Sequence, residues 1–260
     1  MTNKQMMQQQ KTCAKYLAQY AEPEVQSLAT FGAEFHYQHV VVIPAFQEST
    51  QFIDRFIDSR LAEQACLLIA VLNQPDNDFG RQYQLQQETL AKYIHQQGEV
   101  LWQHDNLSLI DLNSLNSNAS SCSNDKPKPN SAILLVNRYT QPIPAEQGVG
   151  LARKIGADLA VKLFSVGSLT SSWVHSTDAD AHLPDNYLVA HSPNNAKLTD
   201  AAATCCNFYH HSDEHNIHHA NTAHSRQKAC NHHRETFRAA PIGLGQAQID
   251  PRYIQGDQGE

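Results

Sequence analysis

Two carboxylates one residue apart, Asp178 and Asp180, are the residues of this chain whose spacing most clearly predicts chemistry. They lie in Ser172–Pro184, S-W-V-H-S-T-D-A-D-A-H-L-P, where the run Trp173–Val174 is interpreted as a strand that ends at the charge pair. On an extended backbone residues i and i+2 point to the same side, so both carboxylates could face one hard cation and, through it, a diphosphate. The pair therefore predicts a site for a hard divalent cation.

The alternative is that the Asp-x-Asp sequence is only a solvated turn, because such short motifs occur by chance in many chains. Two like charges on one face oppose folding unless a cation or hydrogen-bond donors offset their repulsion. The surrounding elements must decide between the two interpretations.

Those elements alternate between buried strands and amphipathic helices. Continuous apolar runs are typical of parallel strands buried on both faces, and apolar residues three to five apart are typical of helices that pack on a sheet. The predicted strands are Val40–Ile43, Leu67–Leu72 and Ala132–Val136, with a short strand or hairpin in Leu101–Leu112. One predicted helix begins near Ser49 or Thr50, and two others cover Arg81–Gln97 and Gln147–Ala160. This order predicts an α/β fold, a mostly parallel sheet with helices on both faces.

Several polar residues follow the predicted strands, where open α/β sheets bind ligands. Glu48, Asn73, Asp76 and Arg153 would lie near this edge together with the aspartate pair. Three of them also have plain structural explanations: Glu48 as an acid favoured in the first turn of a helix, Asn73 as a turn-forming residue, and Arg153 as the solvent side of its helix. The shared edge favours a common site.

Composition excludes some classes of partner. The 260 residues carry a formal net charge of −7 with scattered basic residues, so no nucleic-acid partner is expected. No apolar run has the length of a transmembrane segment, and the N-terminus lacks the apolar core of a signal peptide. We therefore expect a cytoplasmic protein, with its six cysteines as reduced thiols.

Four motifs in order resemble the nucleotide-binding half of the GT-A-fold glycosyltransferases, specifically the family 2 group. They run from about His39 to Leu188 and read V-V-V-I-P-A-F-Q-E-S, L-L-I-A-V-L-N-Q-P-D-N, G-V-G-L-A-R-K-I-G-A-D-L-A and W-V-H-S-T-D-A-D-A-H-L-P-D-N-Y-L. The resemblance implies a Rossmann-like fold and a nucleotide-diphospho-sugar donor, linked to UDP or GDP, whose sugar passes to an acceptor hydroxyl.

The resemblance also implies roles for individual residues. Pro44, Ala45 and Glu48 would contact the nucleoside and its ribose, and Arg153 would lie near the diphosphate. Asp178 and Asp180 would form the Asp-x-Asp motif, in which the second carboxylate chiefly binds Mn²⁺ or Mg²⁺.

The chain departs from the family pattern at two places. Many members have an acidic residue for the base after the second strand, where this chain has Asn73, and Asp76 is the candidate substitute. No convincing catalytic base follows the Asp-x-Asp region, so the catalytic residues are unassigned. We expect a truncated or degenerate member that binds its donor with weak or no turnover.

Changes in composition divide the chain into three parts. Residues 1–33 are predicted to be an N-terminal helical lead, and residues 34–210 the nucleotide-sugar-binding domain, with an Asn/Ser-rich mobile loop at residues 113–131. Residues 211–260 are predicted to be His-rich and poorly ordered. Ten of the fifteen histidines lie between His182 and His233, which leaves a second hypothesis: a zinc-binding or interaction protein that uses this His/Cys-rich end.

Overall fold

The structure is a computed structural model that describes residues 3–77, 80–112 and 131–190, together with Ala203. The predictions for residues 191–202 and 204–260 lie outside this part, and so do those for residues 113–130 of the loop. Ser131, the last residue of that predicted loop, is buried, and its hydroxyl accepts a hydrogen bond from the backbone N–H of Cys66 at 2.8 Å. Within the described ranges, no helix is long and apolar enough to cross a membrane.

Six strands form one sheet. They are β1 (His39–Ala45), β2 (Cys66–Pro75), β3 (Glu99–His104), β4 (Leu107–Asp111), β5 (Ala132–Ile143) and β6 (His175–Ser176), in the spatial order β3-β4-β5-β2-β1-β6. β1 pairs in parallel with β2 and β6, and β2 with β5, whereas β3, β4 and β5 are antiparallel neighbours. The predicted α/β class with a mostly parallel sheet is confirmed, as is the hairpin.

Helices cover both faces of this sheet. The helices are α1 (Asn3–Gln19), α2 (Gln51–Asp58), α3 (Gly80–His95), α4 (Gly148–Val166) and α5 (Tyr187–Ala190), with 3₁₀ turns at Pro23–Thr30 and Arg60–Glu63. Apolar residues of α2, α3 and α5 share one core with Val41 and Leu68, and those of α4 share the other with Val42 and Ile69. Alternate residues of the same strands therefore supply the two cores, because side chains alternate across a strand.

The helix α4 approaches β1 closely at Gly156. A Cβ atom at this position would collide with the side chain of Val42, which is fully buried. The glycine therefore allows the helix backbone to lie directly on the strand.

A buried carboxylate attaches the N-terminal segment to α4. Asp158 is 1% exposed and accepts hydrogen bonds from the Tyr16 hydroxyl at 2.7 Å, the Glu22 backbone N–H at 2.8 Å and the Lys154 ammonium at 2.7 Å. Burial, together with the bond to Asp158, raises the pKa of Tyr16 to about 12. Residues Asn3–Gln19 form the helix α1, and the buried contacts of Tyr16 and Glu22 attach this segment to α4.

The strand before the aspartates is shorter than the sequence predicts. β6 contains only His175 and Ser176, so the prediction that Trp173–Val174 forms the strand is wrong. The backbone N–H of Trp173 donates to the hydroxyl of Ser171 at 3.0 Å. Such a local side-chain bond competes with strand pairing, and pairing begins only at His175.

The order of the strands reverses between β1 and β6. From β1 the chain adds β2 and then β5 on one side, and after α4 it returns to add β6 on the other side of β1. In open α/β sheets a crevice forms outside the carboxyl ends of the strands at such a point. The loop after β1 and the turn after β6 meet there.

Candidate functional site

The two aspartates lie in a turn directly after β6. The N–H of Thr177 donates to the Val42 carbonyl at 3.1 Å, and the N–H of Ala181 then donates to the Asp178 carbonyl at 3.2 Å. Both aspartates are exposed, while Ala179 between them is 3% exposed. The pair is thus presented by a turn rather than by the extended backbone that the sequence suggested. We name residues 178–180 the carboxylate turn.

Arg153 reaches the carboxylate turn from α4. Its guanidinium forms an ion pair with the Asp178 carboxylate, and the two side chains are 40% and 61% exposed. A pair this accessible contributes little to folding, because water and salt screen it. The pair matters for ligand binding instead. Arg153 brings to the negatively charged turn a fixed positive charge, which an anionic ligand would require.

Arg55 reaches the same turn from α2, on the opposite face of the sheet. Its guanidinium donates a hydrogen bond to the backbone carbonyl of Ala179. Nothing in the sequence predicts this contact, because the helical spacing of the apolar residues places Arg55 on the polar side of α2 together with Asp54.

Glu48, in the loop after β1, also lies near the carboxylate turn. Together with Arg55, Arg153, Asp178 and Asp180 it forms a group of charged side chains that we call the cluster. Its pKa is raised from the ordinary value, first by burial and then by the negative charges of Asp180 and Asp178, while the positive charge of Arg55 opposes the shift. Three carboxylates and two arginines therefore share one neighbourhood. The structure brings together the predicted residues Glu48, Arg153, Asp178 and Asp180.

The raised pKa of Glu48 predicts a dependence of stability on pH. Below about pH 4 the carboxyl is protonated in both the folded and unfolded states, so it adds no penalty. As the pH rises above the ordinary value of 4.5, the unfolded state releases its proton first, so the free energy of unfolding falls until the folded pKa is passed.

Glu48→Gln lacks this penalty. Its stability advantage over the wild type should grow as the pH rises above the ordinary value of 4.5 and level off once the folded pKa of Glu48 is passed, measured by chemical unfolding in EDTA. A difference that does not change with pH would contradict the electrostatic description of the cluster.

The donor set of the carboxylate turn fits a hard cation. Among the described residues, no three His, Cys, Asp or Glu side chains are grouped closely enough to hold a metal by themselves. Mg²⁺, however, is commonly bound through one or two carboxylates, with water and substrate phosphates as the other ligands. Within the described part of the chain, Asp180 accepts no hydrogen bond and forms no ion pair, so its oxygens are available as such ligands.

The predicted residues at the ends of β1 and β2 have structural environments of their own. Pro44 and Ala45 are buried within β1, and Asn73 is 5% exposed at the end of β2. The Gln87 amide of α3 donates to the carbonyl oxygens of Ala45 and Asn73 at 3.0 and 2.7 Å. Gln87 therefore bridges the two strand ends, a role that its position in the sequence did not reveal.

Asp76 is directed toward the backbone. Its Oδ1 accepts a hydrogen bond from the N–H of Ala145 at 3.0 Å, and its own N–H donates to the Ile143 carbonyl at 2.8 Å. These bonds join the end of β2 to the loop before α4. The structure does not bring Asp76 to the carboxylate turn, and a role in contacting a base stays a prediction.

An open depression of about 430 Å³ lies beside α2. All its lining residues are polar: Gln51, Asp54, Arg55, Asp58, Ser59 and His182. Arg55 lines it and also contacts the carboxylate turn, so the depression adjoins the cluster.

Comparison with protein-family models, with curated proteins and with solved structures finds no match to this chain. Its function must therefore be argued from the cluster itself.

Proposed function

We propose that the chain is a Rossmann-like, GT-A-type glycosyltransferase that binds a nucleotide-diphospho-sugar through Mn²⁺ or Mg²⁺ at the carboxylate turn. The donor is UDP- or GDP-linked, and the sugar passes to an acceptor hydroxyl. The observation that carries the proposal is the position of Asp178 and Asp180, with Arg153 and Glu48 beside them, at the reversal of strand order where α/β sheets bind ligands.

The charges of the cluster suit a metal-bound diphosphate. Asp180 offers free carboxylate oxygens to the cation, and Arg153 places a guanidinium, a good phosphate ligand, against Asp178 of the same turn. When bound, the cation would act as a Lewis acid that stabilises the departing diphosphate. Asp178 balances the charge of Arg153 and keeps it at the site.

Transfer also requires a base that deprotonates the acceptor hydroxyl. We assign no residue to this role, and we propose that turnover is weak or absent even where the donor binds. Donor binding needs only the residues of the cluster, whereas transfer needs a carboxylate or imidazole held within hydrogen-bond reach of the acceptor.

Calorimetric titration of the full chain with UDP and with GDP, each with Mn²⁺ and with EDTA, tests the donor site. We expect binding of at least one nucleotide that requires the cation. No binding of either nucleotide with Mn²⁺ present would overturn the proposal. Zinc binding that is lost on deleting residues 204–233, without nucleotide binding, would instead support a metal-binding function of the His/Cys-rich end.

A further inference from the structure

We infer that Arg55 is the positioning residue of the carboxylate turn, holding its backbone so that Asp178 and Asp180 face a bound metal–diphosphate. This inference rests on the proposed function and adds a residue to its site. Its basis is the hydrogen bond from the Arg55 guanidinium to the Ala179 carbonyl, which lies between the two carboxylates.

The turn needs such a support because its strand is short. β6 has two residues, and only Val41 and Val42 of β1 are its register partners. Pairing therefore ends before the first aspartate. Beyond that point the turn is held by a hydrogen bond from the Ala181 N–H to the Asp178 carbonyl and by the contacts of the two arginine side chains.

The two arginines act on different atoms. Arg153 occupies a carboxylate oxygen of Asp178, an atom that a metal could also use. Arg55 instead binds a backbone carbonyl, so it fixes the turn and leaves all the carboxylate oxygens available. A hydrogen bond donated by a charged guanidinium is among the stronger polar contacts of a protein. The carbonyl that accepts it belongs to Ala179, which is only 3% exposed.

A second arginine near α2 supplies a matched control. Arg60 pairs with Asp185 at 3.6 Å, but these side chains are 72% and 74% exposed. Its contact is thus made at the surface and does not reach the carboxylate turn. Substituting Arg60 removes the same charge from almost the same region without removing the support of the turn.

The experiment compares Arg55→Gln, Arg55→Lys and Arg60→Gln with the wild-type chain. UDP and GDP are titrated in the presence of Mn²⁺, and thermal unfolding is recorded in EDTA. We expect Arg55→Gln to bind the nucleotide at least about tenfold more weakly, the usual effect of losing one hydrogen bond to a charged group. Arg55→Lys, which keeps a charged donor, should recover part of the affinity, and Arg60→Gln should bind as the wild type does.

The unfolding midpoint separates positioning from a purely structural role. Arg55 is partly exposed on its helix, so the midpoint of Arg55→Gln should fall only about a few degrees below that of Arg60→Gln. Two results would overturn the role of Arg55 while leaving the proposed function untouched. They are an unchanged affinity in Arg55→Gln, and an unfolding midpoint below the titration temperature in both Arg55 variants. Absence of nucleotide binding in the wild type would overturn the proposed function and this inference together.

Discussion

Asp180→Asn is expected to weaken Mn²⁺-dependent binding of UDP or GDP by about a hundredfold, because the cation loses a charged ligand worth about 3 kcal/mol. The folded protein should be equally stable or slightly more so without metal. Asp180 adds a negative charge beside Glu48 and Asp178, and the described residues offer it no ion pair in return. Calorimetry and thermal unfolding in EDTA measure the two effects.

Asp185→Asn is the matched control for this variant. Asp185 is an exposed carboxylate five residues further on, paired only with the exposed Arg60 in the described structure. Its replacement should leave nucleotide affinity unchanged. Equal affinity in Asp180→Asn and the wild type would remove Asp180 from the site.

Asp158→Ala is expected to lower the free energy of unfolding by about 3 kcal/mol or more, the largest stability effect that we predict. The substitution leaves the Tyr16 hydroxyl and the Glu22 N–H without their acceptor and removes the buried partner of Lys154. Urea unfolding at neutral pH measures the change.

Asp185→Ala again supplies the comparison, because it removes a carboxylate from an exposed ion pair and should cost less than about 1 kcal/mol. Similar losses in the two variants would mean that the bonds of Asp158 add little to the attachment of α1. Tyr16→Phe, which removes one of the three donors, should fall between them.

Strands β1, β2 and β5 could be predicted from the sequence because each contains a continuous apolar run, which is typical of a strand covered on both faces. In β2 all residues from Cys66 to Asn73 are buried, as this pattern predicts. The buried face of α4 follows its helical spacing only in part. Ala152, Ile155 and Leu159 are buried, whereas Val149, in the first turn of the helix, is 48% exposed.

The contacts of charged residues could not be predicted in the same way. Helical spacing places both Lys154 and Arg55 on the polar sides of their helices, yet the first bonds the buried Asp158 and the second the Ala179 carbonyl. Long side chains cross several ångströms to reach a partner, so helical spacing alone does not locate their charged ends. These partners are distant in sequence and depend on how the layers pack.

The proposed function requires a metal-bound nucleotide at the carboxyl ends of β1 and β6. Mn²⁺ broadens nearby amide signals in NMR spectra, so it can report this position directly when it is added with UDP or GDP. We predict strong broadening at Glu48 and at residues 178–181. Gly98 and Ala65, at the opposite edge of the sheet about 20 Å away, should stay sharp. Broadening confined to residues 204–233, with the carboxylate turn unaffected, would contradict the account.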